Sequence, residues 1–369
     1  MGKKANKDQA SRIEIAKALR NVKSIATPPQ YAEVQAILAA GHVDHVADSV
    51  AGLSEEDEFA LLCILMGTAT HITALEQRHS IAAGNAAPDF LIRFQPGFYQ
   101  QRIPASSHRG YRCFVEVKTT KKQTLRVSGS HLKKLRAFAD AFGFPLLFAV
   151  RFTEFKGAAL WVIVEDANRH AAAVRITVSD YTAGLRPVLW NERAYMLLPG
   201  TYFQATYSSE TTGKGVRHLE YGELVGFQLV TQKERIPLSG DEAAIAHAFF
   251  EPYGLKEAKV LREGHLVHAA YTAENMVLSE ADLLYGINNL VRDKDGNLAY
   301  DAGKIIRQLA EGASPTVVPR DFVKYYANTF SNMNVLAPMG YGEPEKEYEK
   351  WLATGGVATP STESGQAPG

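Results

Sequence analysis

Residues Cys113 to Gln123 read CFVEVKTTKKQ, an apolar run of strand character that carries a glutamate and a lysine two residues apart. Side chains alternate between the two faces of a strand, so Phe114, Glu116 and Lys118 share one face and Cys113, Val115 and Val117 the other. The pattern assigns one face to the core and the other to ionic chemistry. An ion pair along a strand is common and weak, so the surrounding sequence has to decide between a salt bridge and a reactive site.

Periodicity supplies the frame. Residues 11–50 have helical apolar spacing, as in SRIEIAKALRNV, and a second helix starts at Ser54 with Asp57 three residues on, its apolar face formed by Phe59, Leu62, Cys63 and Met66. HITALEQRH, DFLIRF, YRCFVEVKTT and TLRVS alternate as strands. GSHLKKLRAFADAFG places Leu132, Leu135, Phe138, Ala139 and Phe142 at helical spacing and stops at Gly143, after which PLLFAVRF and ALWVIVE return to strand. The expected fold class is α/β, a mixed sheet flanked by helices, followed by an α+β C-terminal region. That region is predicted to run as strands from about Tyr181 to Val230 and mainly as helices after Leu238. Its helices and a DKDGNL hairpin fit a winged-helix-like DNA reader, interdomain packing or dimerisation equally well. The predicted divisions are a helical segment 1–50, a core domain 51–180, the region 181–345 and a disordered tail 352–369 rich in Gly, Pro, Ser and Thr.

Composition limits the function. With 40 basic and 40 acidic residues among 369, net charge gives no general attraction to nucleic acid, and only a local patch can provide it. Two cysteines, Cys63 and Cys113, both lie in apolar runs, which predicts reduced structural thiols and a cytoplasmic location. The longest apolar run, FALLCILMGTA, is well short of the roughly 20 residues that cross a bilayer, and the basic N-terminus has no apolar segment after it, so neither a membrane span nor a secretory signal is expected.

Asp89, after Pro88, stands at the start of the DFLIRF strand. Pairing of that strand with the Glu116 strand brings Asp89 near Glu116 and Lys118. Two carboxylates and an ammonium suit metal-assisted phosphodiester hydrolysis: the carboxylates offer oxygen ligands to a hard cation such as Mg²⁺, with Mn²⁺ as a substitute, and the lysine orients water or offsets developing charge. Between Asp89 and Asp140 the sole acid is Glu116, while the interval carries Arg93, Arg102, Arg109, Arg112, Lys118, Lys121, Lys122, Arg126, Lys133, Lys134 and Arg136. That imbalance predicts a surface that tracks phosphates, with Phe98, Tyr99 and Tyr111 available to stack on bases.

The sequences APDFLIRF, CFVEVKTT and SGSHLKKLRAFADAFGFPLLFAVRF resemble the PD-(D/E)xK nuclease superfamily, most nearly the archaeal Holliday-junction resolvases and restriction-type endonucleases, over residues 54–166. The resemblance implies a restriction-endonuclease-like core with Asp89 and Glu116 as metal ligands, Val117 lending its carbonyl and Lys118 as the catalytic lysine. It also implies a glutamate from the preceding helix, Glu58 in preference to Glu55. Many resolvases have a glutamine early in the following helix, where this chain has Ser130 and His131; these join Arg109, Arg112, Lys121, Lys122, Arg126, Lys133 and Lys134 as expected DNA contacts. The expected function is metal-dependent DNA endonuclease, of restriction, repair or phage-defence type, with DNA as partner and a homodimer by analogy. The alternatives are a Holliday-junction resolvase and a non-catalytic DNA-binding or assembly protein that keeps the fold. His42, His45 and Asp48 lack a fourth zinc ligand, TTGKG lacks the earlier glycine of a phosphate loop, and DKDGNLAYD has its glycine in the wrong place for a calcium loop.

Overall fold

The structure, a computed structural model, describes residues 15, 18–19, 22, 26–38, 55–75, 86–95, 110–153, 160–210, 216–291 and 299–340. Ser54, Phe98, Tyr99, Arg102, Arg109, the His42–Asp48 cluster, the TTGKG segment, the DKDGNL stretch and the C-terminal tail lie outside these. The chain divides into two compact units, Met1–Asn191 with Val291–Val317 and Glu192–Leu290 with Val318–Gly369.

The first unit contains helix α1 (Pro28–Leu38) and helix α2 (55–65), then strands β1 (Ala69–Ala74), β2 (Phe90–Phe94), β3 (Tyr111–Thr120) and β4 (Thr124–Ser128). Helix α3 (Gly129–Phe142) and strands β5 (Leu146–Phe152), β6 (Leu160–Glu165) and β7 (Ala173–Thr177) follow. The sheet order is β1-β2-β3-β5-β6. All its pairs are antiparallel except β3 with β5. A parallel pair needs a crossover, and α3 supplies it.

Both faces of this sheet are covered, which is why β5 reads LLFAVRF with every residue buried. On one face α3 lays Leu132, Leu135 and Ala139 against Phe114, Phe148, Val150 and Val162. On the other, Phe59 of α2 stacks near Phe90, Trp161 and Trp190, with ring centroids 6.3, 5.3 and 6.2 Å away. The expected split of β3 into a core face and an ionic face is therefore corrected: residues 113–117 are buried whichever way they point. Tyr111 is also corrected, since it opens β3 and is buried rather than free in a loop to stack on bases. Helix α3 ends where Gly143 takes a left-handed φ of 69° and donates its N–H back to Ala139 and Asp140.

The strands of the second unit are β8 (Ala194–Leu197), β9 (Tyr202–Ser208), β10 (Arg217–His218), β11 (Gly222–Val230), β12 (Arg235–Ser239), β13 (Leu255–Glu263), β14 (Leu266–Ala273), β15 (Val277–Ser279) and β16 (Leu336–Met339). They form an antiparallel sheet ordered β10-β11-β9-β14-β13, with β12 beside β11, and a three-stranded sheet β15-β8-β16. Helices α4 (Gly240–Phe250), α5 (Glu280–Asn288) and α6 (Arg320–Asn332) accompany them. After Leu238 the described regular structure is mainly helical, as expected, and the β13–β14 hairpin is an addition to it. The helix Ala302–Ala310 belongs to the first unit, where Ala302 and Ile305 pack on Leu61. Among the described residues no helix is long and apolar enough to cross a membrane.

Candidate active site

The site grows out of the β2–β3 register. Phe90 pairs with Val115 and Leu91 with Phe114, so one step further sets Asp89 across from Glu116 on the same face of the sheet. Asp89 is fixed at both ends: its carbonyl accepts from Leu75 N at 2.8 Å and its Oδ2 from Val117 N at 2.7 Å. Glu116 meets the first turn of α3 through His131. Its side chain is 1% exposed.

One oxygen of that buried carboxylate is well satisfied. Lys118 Nζ donates to Glu116 Oε1 at 2.6 Å, and His131 Nε2 lies 2.9 Å from the same atom. Lys118 Nζ also donates to the Val117 carbonyl at 3.2 Å. Burial alone raises the Glu116 pKa, but the His131 hydrogen bond and the Lys118 charge outweigh it and hold the carboxyl below its usual value. Lys118 is the mirror case: burial works to lower its pKa, and the charges of Glu116 and Asp89 prevail and raise it. The pair is ionised at neutral pH.

The second oxygen, Glu116 Oε2, is buried and has no hydrogen-bond partner. Such an orphan costs about 1–3 kcal/mol, and it suits a cation. The donor chemistry at hand is two carboxylates and the Val117 carbonyl, all oxygen, which fits a hard divalent ion. Among the described residues no three His, Cys, Asp or Glu side chains gather to hold a metal.

Glu58, expected as a further ligand, is not brought to this pair, and its placement is a correction. Its Oε1 accepts from Arg151 Nε at 2.7 Å and Trp161 Nε1 at 3.0 Å. Arg151 pairs with Thr119, so it shares the Val117 face, opposite to Glu116. Burial raises the Glu58 pKa against the pull of Arg151, and Glu55 is raised by burial and then by the Glu58 charge. The α2 acid whose charge reaches Lys118 is Glu56.

Arg112, Lys121, Lys122, Arg126, Ser130, His131, Lys133 and Lys134 are exposed on β3, β4, the turn between them and α3. Arg136 is taken up internally, with Nε and a terminal nitrogen each 2.7 Å from Asp166. The contact from His131 to Glu116 is not expected from the sequence, which puts His131 among the DNA contacts. The signal is its position in the first turn of a helix that follows the Glu116 strand and packs on the same face.

No protein-family model and no curated protein matches the sequence. Among solved structures, the chain is similar to Hjc, a Holliday junction resolvase from the archaeal hyperthermophile Archaeoglobus fulgidus. That match has 21% identity and a TM-score of 0.24 and covers 36% of this chain and 89% of the resolvase. A TM-score of that size does not establish a shared fold.

Proposed function

We propose that the chain is a metal-dependent DNA endonuclease of the PD-(D/E)xK type, with a restriction-endonuclease-like core in the first unit and Mg²⁺ or Mn²⁺ as cofactor. The observation that carries this reading is the facing pair Asp89 and Glu116 beside the Lys118 amine, with Glu116 Oε2 buried and unsatisfied. Asp89, Glu116 and the Val117 carbonyl would hold the ion. When bound, a divalent ion makes water a stronger nucleophile and offsets charge on the phosphate.

The chain's own residues do the rest. An ammonium has three donors, and Lys118 directs two of them at Glu116 and Val117. The third is left for the attacking water or a phosphate oxygen. With no ion bound, the charges of Glu116 and Asp89 outweigh burial and favour the protonated Lys118. Exposed Arg112, Lys121, Lys122, Arg126, Lys133 and Lys134 supply phosphate contacts. A homodimer belongs to this reading by analogy with enzymes that cut the two strands of a duplex through paired sites.

The test is incubation of the full chain with linear, branched and single-stranded DNA, in Mg²⁺ or in EDTA. Cleavage is expected in Mg²⁺ only, with Asp89→Ala, Glu116→Ala and Lys118→Ala each losing it by about 100-fold or more while still binding DNA. Unchanged cutting by all three variants rejects the site. Binding without cutting on any substrate supports a non-catalytic DNA-binding protein, and cutting of branched DNA alone supports a junction resolvase.

A further inference from the structure

The Glu116 carboxylate is clamped through one oxygen only. Lys118 and His131 both meet Oε1, at 2.6 and 2.9 Å, while Oε2 has no partner. We propose that His131 is a positioning residue that keeps Glu116 a one-oxygen ligand and thereby biases the site toward Mg²⁺ over Ca²⁺. This rests on the metal reading above.

The bias follows from ion chemistry. Mg²⁺ demands near-octahedral geometry at about 2.0–2.1 Å, which a carboxylate meets with one oxygen, whereas Ca²⁺ takes about 6–8 oxygens at longer range and accepts both oxygens of one carboxylate. A Glu116 free to rotate offers both.

Lys118 cannot maintain the restraint alone. Its flexible four-carbon stem lets the ammonium swing away from Oε1. His131 is better placed. It stands in the first turn of α3, whose next residue, Leu132, is buried with Leu135 and Ala139 against the sheet. Its imidazole has two torsions, so little freedom is lost in holding the contact. A side chain that orients a metal ligand without touching the ion typically changes metal affinity by about 10–100-fold when removed.

The experiment uses the full chain without DNA. Mn²⁺ binding is followed by electron paramagnetic resonance, and Mg²⁺ or Ca²⁺ is added to displace it. The ratio of Mg²⁺ to Ca²⁺ affinity is expected to fall in His131→Ala and to return toward wild type in His131→Gln, whose amide N–H can meet the same oxygen. A ratio unchanged in His131→Ala overturns the proposal, and so does an equal loss for both ions, which a merely structural role would produce. Failure of the metal reading looks different: wild type binds no Mn²⁺, or Asp89→Ala binds it as wild type does. Either result removes both claims, whereas Asp89-dependent binding with an unchanged ratio removes only this one.

Discussion

Glu58 and Glu116 are both buried acids beside a basic side chain, yet the face of the sheet separates their roles. Glu58 is answered on Oε1 by Arg151 and Trp161, so its charge is spent within the fold. Glu116 keeps one oxygen unanswered. Removing Glu58 deprives the Arg151 guanidinium, 10% exposed, of that counter-charge, and breaking a buried pair from one side costs about 3 kcal/mol or more. Glu58→Ala is therefore expected to lower the urea midpoint of the first unit while leaving Mn²⁺ affinity near wild type. A variant that loses metal affinity with stability intact would return Glu58 to the site. Cys63 and Cys113 are inert at this scale: both are buried and free, and burial pushes the Cys63 thiol up to about 12.

At the scale of elements, α3 connects sheet and site. Its apolar side fixes it to the sheet, its first turn delivers His131 to Glu116, and its middle is tied down by Arg136, which forks onto Asp166 and reaches the Ala171 and Asn168 carbonyls. Asp166→Ala removes the acid on which Arg136 forks and is expected to lower stability by denaturant unfolding, with metal affinity falling as α3 loosens; unchanged stability would show that the fork does not anchor the helix. Much of this element is legible from sequence, because Leu132, Leu135 and Ala139 repeat at helical spacing and Gly143 ends the run. Strands β2, β3, β5 and β6 are legible for the same kind of reason, and their order placed Asp89 near Glu116. The β13–β14 hairpin is not. LKEAKVLRE lies at a sheet edge with most positions exposed, so it carries no apolar alternation to read, and only Gly264 at a φ of 62° marks its turn. The division of the two Glu116 oxygens is hidden as well, since it depends on which side chains meet after the strands pair.

For the whole molecule, each unit has its own determinants, and the proposed chemistry lies wholly in the first. The second is expected to respond to acid through His247. Its imidazole is held down to about 4 by burial and by the charge of His218, against an ordinary value near 6.5. The unfolded chain then binds a proton that the folded unit refuses, so stability is complete above about pH 6.5, falls as pH drops toward 4 and levels off below that. A circular-dichroism denaturation series across this window checks the slope, and His247→Phe should flatten its share of it; a profile identical in the variant would contradict the assignment. The basic surface of the first unit gives a further expectation within a chain of zero net charge: DNA affinity drops steeply with salt, and Lys133→Ala with Lys134→Ala makes the slope shallower by about 0.9 for each phosphate that is no longer neutralised. An unchanged slope would place the phosphates elsewhere. The central claim is most directly tested by an anomalous-difference map from crystals of the full chain soaked in Mn²⁺. The account predicts a peak bounded by Asp89, Glu116 Oε2 and the Val117 carbonyl, and a crystal that shows Mn²⁺ only at other positions would contradict it.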